Sequence, residues 1–355
     1  MVINRDIYLN RLIASKHNGL IKIITGLRRC GKSYLLFKLF KEHLRNVGVD
    51  DNHIIQVDLE DRRNKNLRNP DVLLAHIDSK MKDNDMYYIL LDEVQCVKDF
   101  EDVLNSYLKI ENADIYVTGS NSKFLSTDII TEFRGRGTQI CVHPLSFAEI
   151  MSVDQRHPID VWNDYYTYGG LPLVLSLSTD EAKESYLKDL YAKVYLTDIK
   201  DRYSIRCDSE LQELLQIIAS TIGSPTNPSK LENTFKSVKN VTLSSKTINT
   251  YLSYLEDAFL IEKSIRYDIK GKKYINTLAK HYFTDMGIRN AILGFRQMEE
   301  NHIMENVIYN ELRIRGYSVD VGMVETRPLN SEGKRIRKQY EVDFVANRGS
   351  QRYYI

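Results

Sequence analysis

The segment GLRRCGKS, residues 26–33, carries two glycines, a lysine and a hydroxyl at the spacing G-x-x-x-x-G-K-[ST]. Glycines at these places let backbone N–H groups close around a phosphate, and a following helix presents its positive end to the same anion. In this pattern Lys32 reaches the β- and γ-phosphates, and the Ser33 hydroxyl binds Mg²⁺. We therefore predict a site for ATP and Mg²⁺, with nucleotide contacts from Gly26, Leu27, Arg28, Arg29, Cys30, Gly31, Lys32, Ser33 and Tyr34.

An acidic pair at the end of the apolar run YYILLDEV supplies the second half of this site. We expect Asp92 to hold the Mg²⁺ ion and Glu93 to orient and polarise the attacking water. An Asp-Glu pair alone more often marks a solvated loop, but its position downstream of a phosphate-binding loop favours catalysis. Lys32 and Glu93 are thus the predicted catalytic residues.

Two later stretches offer further polar candidates. In VTGSNS, Ser120 or Asn121 would sense the γ-phosphate if this strand lies between those of the loop and of the acidic pair; the alternative is a helix N-cap. In FRGRG, Arg134 and Arg136 are candidates for an arginine finger, acting in the same chain or on a neighbouring subunit. The alternative for FRGRG is an exposed basic turn.

The elements that must position these residues alternate between short apolar runs and amphipathic stretches over residues 1–150. Such alternation predicts parallel strands with helical crossovers, and so a doubly wound α/β layer. Ligands of such sheets bind beyond the carboxyl ends of the strands. The predicted strands are IKIIT, HIIQVDL, YYILLDEV, DIYVTGS and TQICVHPL.

Taken in order, GLRRCGKS, ILLDEVQ, VTGSNS, PLSFAEI and YGGLP resemble the AAA+-type P-loop ATPases of bacteria and archaea whose chains end in a DUF4143 region. The resemblance runs over essentially the whole chain. It implies a sheet of order 5-1-4-3-2, the roles given above for Lys32, Ser33, Asp92 and Glu93, and a sensor at Ser120 or Asn121. It also implies an arginine near Arg134 and Arg136, a helical lid after the nucleotide domain, and a restriction-endonuclease-like end.

The middle of the chain is predicted to hold two modules. Residues 151–222 have Tyr and Leu at helical spacing and correspond to the lid, and residues 223–275 have a winged helix-turn-helix outline. DNA contacts would come from the start of the recognition helix and from the wing. The alternative is packing against protein. The candidate DNA-contacting residues are Ser245, Lys246, Thr247, Asn249, Lys270, Lys272 and Lys273.

Residues 276–355 correspond to the endonuclease-like end that the resemblance implies. Glu305 on a helix and Asp343 at a strand end match the first acids of such a site, whose third motif would follow Ile355. We therefore expect a truncated region, and nuclease activity cannot be inferred from these residues; a nuclease would need the residues that follow Ile355. Glu305 could equally be an ordinary exposed helix residue, and Asp343 part of an alternating strand face.

The composition indicates no overall electrostatic attraction to nucleic acid, because 49 basic and 48 acidic residues leave a net charge of +1. Four scattered cysteines, an N-terminal stretch unlike a signal peptide and no long apolar run predict a cytoplasmic protein without a membrane partner. We expect an ATPase whose nucleotide state acts on the later modules, with DNA and further copies of the chain as candidate partners. The alternative is a nucleotide-gated DNA- or protein-binding switch with little turnover.

Overall fold

The computed structural model divides into two compact units, Met1–Leu145 and Ser146–Ile355. It describes residues 2–119, 135–205, 208–238, 243–296, 299–329, 331 and 335–355.

Within the described part of the first unit, five strands form one parallel sheet in the order β2-β3-β4-β1-β5. This order confirms the predicted 5-1-4-3-2 arrangement. The central strands are apolar and buried along their whole length, as parallel strands with both faces covered must be. The strands are β1 (Ile21–Thr25), β2 (Ile54–Asp58), β3 (Tyr87–Asp92), β4 (Ala113–Thr118) and β5 (Gly137–Cys141).

Helices connect these strands and cover the sheet. The amphipathic helix α4 packs Phe100 and Leu104 into one core with Ile89 and Leu91 of β3. The helices are α1 (Asp6–Ala14), α2 (32–46, through Lys32–Tyr34, the π-helical Leu35–Phe40 and Lys41–Asn46), α3 (Pro70–Asp78) and α4 (Phe100–Tyr107), with 3₁₀ turns at Asp51–His53, Arg62–Arg68 and Val94–Cys96.

A buried ion pair crosses the centre of this sheet. Lys22 of β1 is fully buried, and its Nζ donates a hydrogen bond to Asp114 Oδ1 of β4. Asp114 also accepts bonds from the Tyr116 hydroxyl, at 2.9 Å, and from the His17 backbone N–H, at 3.2 Å. Burial lowers the pKa of Lys22, and the bond to Asp114 opposes that shift. The pair is therefore costly to bury and still more costly to break.

The second unit contains helices and a mixed sheet. In its described part, six strands run in the order β11-β10-β9-β7-β8-β6, with β7 parallel to β9 and the other neighbours antiparallel. The strands are β6 (Pro225–Thr226), β7 (Ile261–Asp268), β8 (Lys273–Phe283), β9 (Ser318–Thr326), β10 (Lys338–Arg348) and β11 (Gln351–Tyr354).

Along the chain, the helices of this unit lie before the sheet strands and between them. None of the helices that the structure describes is long and apolar enough to cross a membrane. They are α5 (Phe147–Met151), α6 (Pro158–Tyr168), α7 (180–203, through Asp180–Leu190, the π-helical Tyr191–Tyr195 and Leu196–Tyr203), α8 (Asp208–Ser220), α9 (Pro228–Val238), α10 (Ser245–Asp257), α11 (Met286–Ile292) and α12 (Glu300–Ile314), with a 3₁₀ turn at Pro172–Ser176.

The YGGLP turn packs against the start of α11. Gly169 has φ +75°, and a Cβ atom there would lie 2.3 Å from the Asp285 carboxylate. That carboxylate accepts hydrogen bonds from the backbone N–H groups of Gly170, at 2.8 Å, and Ile288, at 3.0 Å. Burial raises the pKa of Asp285 to about 6, and these N–H groups oppose the shift. The turn therefore fixes the end of α6 against the first turn of α11.

The finer division of the second unit into a lid, a winged helix and an endonuclease-like region remains a prediction. In the structure, the predicted wing strands β7 and β8 belong to the same sheet as β9 and β10.

We expect Lys22→Met to lower the free energy of unfolding by about 3–5 kcal/mol, because Asp114 would remain buried without its cation. The double variant Lys22→Met/Asp114→Asn should recover a large part of that loss, since the uncompensated charge is removed. Urea unfolding of the three proteins measures both effects. The half-buried Lys41, which bonds Gln56 at 2.9 Å, supplies the matched control Lys41→Met. Equal losses in the single and double variants would contradict the expectation.

Candidate active site

The phosphate-binding loop joins the end of β1 to the start of α2, and its two glycines are required by its geometry. Gly26 has φ +133°, and a Cβ atom there would lie 2.0 Å from the carbonyl oxygen of Val142. Gly31 has φ +103° and directly precedes the first helical residue, Lys32. Any other residue would be strained at either position. The absence of a side chain at Gly26 thus lets the loop pack directly against the backbone of Val142.

Lys32 is almost fully buried, with 4% of its surface exposed. Its Nζ donates hydrogen bonds to the carbonyl oxygens of Gly26, at 3.0 Å, and Leu27, at 3.1 Å. The ammonium group is therefore held within the loop, where the motif places the β- and γ-phosphates.

The outer side of the loop is bonded to the first residues of the chain and to the segment after β5. The buried Arg5 donates from Nη1 to the Cys30 carbonyl at 3.0 Å and from Nη2 to the His143 carbonyl at 2.7 Å. The Cys30 thiol donates to the Val142 carbonyl at 3.2 Å. Burial raises the pKa of this thiol, so Cys30 is a structural residue of the loop and a poor nucleophile.

Asp92, the last residue of β3, lies beside the start of α2. Its carboxylate accepts a hydrogen bond from the Thr118 hydroxyl of β4, and the Ser33 side chain lies within hydrogen-bonding reach of it. Burial raises the pKa of Asp92 to about 6; the bonds from Thr118 and Ser33 oppose this shift, and the charges of Glu93 and Asp58 add to it. Since the Ser33 side chain lies within hydrogen-bonding reach of Asp92, the two oxygen-bearing groups fit as ligands of one Mg²⁺ ion.

Glu93 has the left-handed backbone conformation φ 52°, ψ 49°. Its backbone N–H donates to Thr118 Oγ1 at 3.0 Å, and its carboxylate accepts a hydrogen bond from the Gln95 side-chain amide. Such strain in a residue other than glycine persists only where the surroundings enforce it, and it is frequent in active sites. The Thr118 hydroxyl therefore contacts both acidic residues.

Asp58 adds a third carboxylate to this end of the sheet. It is the register partner of Asp92 in the neighbouring strand β2. Its Oδ1 accepts hydrogen bonds from the backbone N–H groups of Glu60, at 2.9 Å, and Asp61, at 3.1 Å. The negative charges of Asp58 and Glu93 thus add to that of Asp92 at this end of the sheet, which favours a cation there.

The remaining predicted residues of this unit lie at its periphery. Arg28 donates to the Glu60 carboxylate at 3.2 Å, and Arg29 and Tyr34 are exposed. The backbone carbonyl of Arg136 accepts a hydrogen bond from the N–H of Ile21 at 2.9 Å. Arg136 therefore stands at the amino end of the sheet, opposite to the loop, which disfavours contact with a nucleotide of its own chain. Ser120, Asn121 and Arg134 lie outside the described residues.

Glu305 of α12 belongs to an ionic cluster of the second unit that surrounds the buried Lys280. Its Oε1 accepts hydrogen bonds from Lys280 Nζ, at 2.9 Å, and from the Tyr282 hydroxyl, at 2.7 Å. Lys280 is also paired with Glu341 at 2.6 Å, whereas Asp343, two residues further along β10, is exposed. The structure thus brings Glu305 together with Glu341 through Lys280.

The predicted DNA-contacting residues lie on α10 and on the β7–β8 hairpin. Ser244 caps α10 by accepting a hydrogen bond from the Thr247 N–H at 3.1 Å, and Asn249 bonds the Ser245 carbonyl at 3.0 Å. The lysines of this group are exposed: Lys246, Lys270, Lys272 and Lys273.

The sheet order, the loop and the acidic pair define the first unit as a P-loop domain of the AAA type, and residues 18–151 match the family model described as AAA domain. Residues 159–299 match a domain of unknown function, DUF8612. The expected DUF4143 region is therefore not confirmed.

An uncharacterized protein of Haemophilus influenzae is 33% identical over 360 residues, covering 100% of this chain and 86% of the relative. The chain belongs to the family of that protein. The uncharacterized protein MJ1544 of Methanocaldococcus jannaschii is 29% identical over 360 residues, and the alignment covers 97% of this chain and 75% of that protein.

Solved structures resemble the chain only distantly. The Aeropyrum pernix Orc1 protein in complex with DNA is 11% identical, with a TM-score of 0.38, and the alignment covers 86% of this chain and 94% of that one. AMPPCP-bound DnaA of Aquifex aeolicus is 12% identical, with a TM-score of 0.33, over 70% of this chain and 86% of that one. Scores this low carry no argument about function.

We expect Asp92→Asn to raise the free energy of unfolding above pH 7 by up to about 3 kcal/mol. The folded-state pKa of about 6 lies above the ordinary value of 3.8, so the folded protein binds more protons than the unfolded chain between these values. Stability is therefore lost as the pH rises through this window, and a neutral amide avoids that loss. Urea unfolding in EDTA, without nucleotide, should show the gain at pH 8 and almost none at pH 4. A gain that is independent of pH would contradict the assignment.

Proposed function

We propose that the protein binds ATP with Mg²⁺ and hydrolyses it at the site formed by the loop 26–31 and the acidic pair Asp92-Glu93. The observation that carries the proposal is that the Ser33 side chain lies within hydrogen-bonding reach of the buried Asp92 carboxylate. This proximity places the end of the phosphate-binding loop beside the acidic end of β3. A helix start with a lysine alone would fit many anions, whereas the hydroxyl-carboxylate pair also fits the metal of a nucleotide-metal complex.

Each residue has a distinct role in this proposal. Backbone N–H groups of the loop bind the β-phosphate, and the Lys32 ammonium group turns from the carbonyls of Gly26 and Leu27 to the γ-phosphate. Ser33 and Asp92 hold Mg²⁺, which neutralises charge on the phosphates. Glu93 accepts a proton from the water that attacks the γ-phosphorus, and ADP and inorganic phosphate leave.

The proposal also includes contact with DNA and association between copies of the chain. The exposed Lys246, Lys270, Lys272 and Lys273 support contact with a phosphate backbone. Arg136 lies at the end of its own sheet that is far from the phosphate-binding loop. As an arginine finger, it would therefore act on the nucleotide of a neighbouring copy.

We expect Lys32→Ala to abolish ATP binding, because the buried cation at the phosphates is lost. Glu93→Gln should retain ATP binding and lose turnover by roughly 100-fold or more, since the amide accepts no proton. Binding of a fluorescent ATP analogue and release of inorganic phosphate, each with and without Mg²⁺, measure the two effects. Lys41→Ala is the surface control for Lys32. A Glu93→Gln protein with normal turnover would refute the proposed site.

Duplex DNA should increase the rate of ATP hydrolysis if the basic residues of the second unit bind it. The effect should weaken as salt rises from about 50 to 200 mM, because phosphate contacts release counterions. It should also weaken in the variant Lys270→Ala/Lys272→Ala/Lys273→Ala. A measurable rate that is unchanged by DNA would remove DNA from the proposal, and a rate near zero under all conditions would favour a nucleotide-gated switch.

A further inference from the structure

Gln95 lies in the 3₁₀ turn that follows the acidic pair, and its side chain contacts Glu93. Its Nε2 donates a hydrogen bond to Glu93 Oε2. Glu93 is in turn fixed by its strained backbone and by the bond from its N–H to Thr118. The Gln95 amide is therefore attached to a carboxylate that has little freedom of its own.

The chemistry of the two groups fixes which way the amide faces. A carboxylate only accepts hydrogen bonds, so the NH₂ group of Gln95 must face Glu93. The opposite assignment would place the amide oxygen against a carboxylate oxygen, with no proton between them. Gln95 Oε1 consequently points away from the Glu93 oxygen to which Nε2 donates.

Gln95 Oε1 is buried and accepts no hydrogen bond from any residue that the structure describes. A buried acceptor without a donor costs about 1–3 kcal/mol, and each such group in a native structure needs an explanation. A water molecule is small enough to fill this role, and it can donate one proton to Gln95 and the other to Glu93.

We propose that Gln95 is a positioning residue that orients the attacking water, an inference that rests on the proposed ATP hydrolysis. One O–H of the water donates to Gln95 Oε1 and the other to the Glu93 carboxylate, so a lone pair of the water oxygen faces the γ-phosphorus. The bond from this oxygen to phosphorus forms as the bond from phosphorus to the β-γ bridging oxygen breaks. The water proton moves to Glu93, and Gln95 exchanges no proton.

If the contact between Gln95 and Glu93 instead inhibits hydrolysis, removing Gln95 should change the turnover rate in the opposite direction. If Gln95 held Glu93 away from the water, its removal would accelerate turnover. If Gln95 orients the water, its removal slows turnover and leaves nucleotide binding intact, because Gln95 then acts on the water and not on the nucleotide.

The test is Gln95→Met, which keeps the length of the side chain and removes both hydrogen-bonding groups. We expect kcat to fall roughly 10- to 100-fold, in line with the loss of an oriented nucleophile. The Kd for a non-hydrolysable ATP analogue should stay within about twofold of the parent value. The midpoint of urea unfolding should stay close to the parent value, because Met fills a similar volume and the partly exposed Glu93 carboxylate can bond water instead. Gln56→Met, at an exposed position of β2, is the control and should retain kcat.

A merely structural role would lower the unfolding midpoint and weaken binding together with kcat, and that result would overturn the inference. Unchanged or increased kcat in Gln95→Met would overturn it as well. Assays of Glu93→Gln alongside Gln95→Met distinguish an error in the role of Gln95 from an error in the proposed ATP hydrolysis. If Glu93→Gln is inactive and Gln95→Met keeps normal turnover, the proposed role of Gln95 is wrong and the proposed ATP hydrolysis stands. If the parent protein hydrolyses no nucleotide, both the role of Gln95 and the proposed function are wrong.

Discussion

The hydroxyl group of Thr118 is the contact on which the acidic half of the site depends. It donates to the Asp92 carboxylate and accepts from the N–H of Glu93, so one atom on β4 fixes the last residue of β3 and the residue directly after it. The parallel register that pairs Leu91 with Val117 brings these groups into contact. A slip of one residue would turn Thr118 to the other face of the sheet, and both bonds would be lost. The site is therefore a product of strand register as much as of residue type.

The parts of this fold that the sequence predicts are those encoded locally. The loop follows from the spacing of Gly26, Gly31, Lys32 and Ser33, and the alternation of strands and helices indicates the α/β layer. The strand order was implied by a family resemblance and is confirmed. The contacts of Thr118, Asp58 and Arg5 could not be predicted, since each depends on partners distant in the chain. A lone arginine before a helix, or a threonine at a strand end, carries no signal of its own.

Lys22 illustrates the same limit within a predicted strand. IKIIT indicates a buried strand, yet its lysine suggests an edge or an exposed face. The partner that makes its burial tolerable, Asp114, lies on a strand that pairs with β1 only in the folded sheet. In the second unit, β7 likewise pairs in parallel with β9, so a hairpin predicted as a separate wing shares a sheet with the strands that follow. Pairing between distant segments is what local patterns cannot encode.

Three contacts attach the phosphate-binding loop to the residues just after β5. Gly26 lies directly against the Val142 carbonyl, the Cys30 thiol donates to that same carbonyl, and Arg5 bridges Cys30 and His143. The chain leaves the first unit only a few residues later, at Leu145. These contacts hold the loop and the last residues of the first unit together, so a change in the backbone of the loop would also displace Val142 and His143.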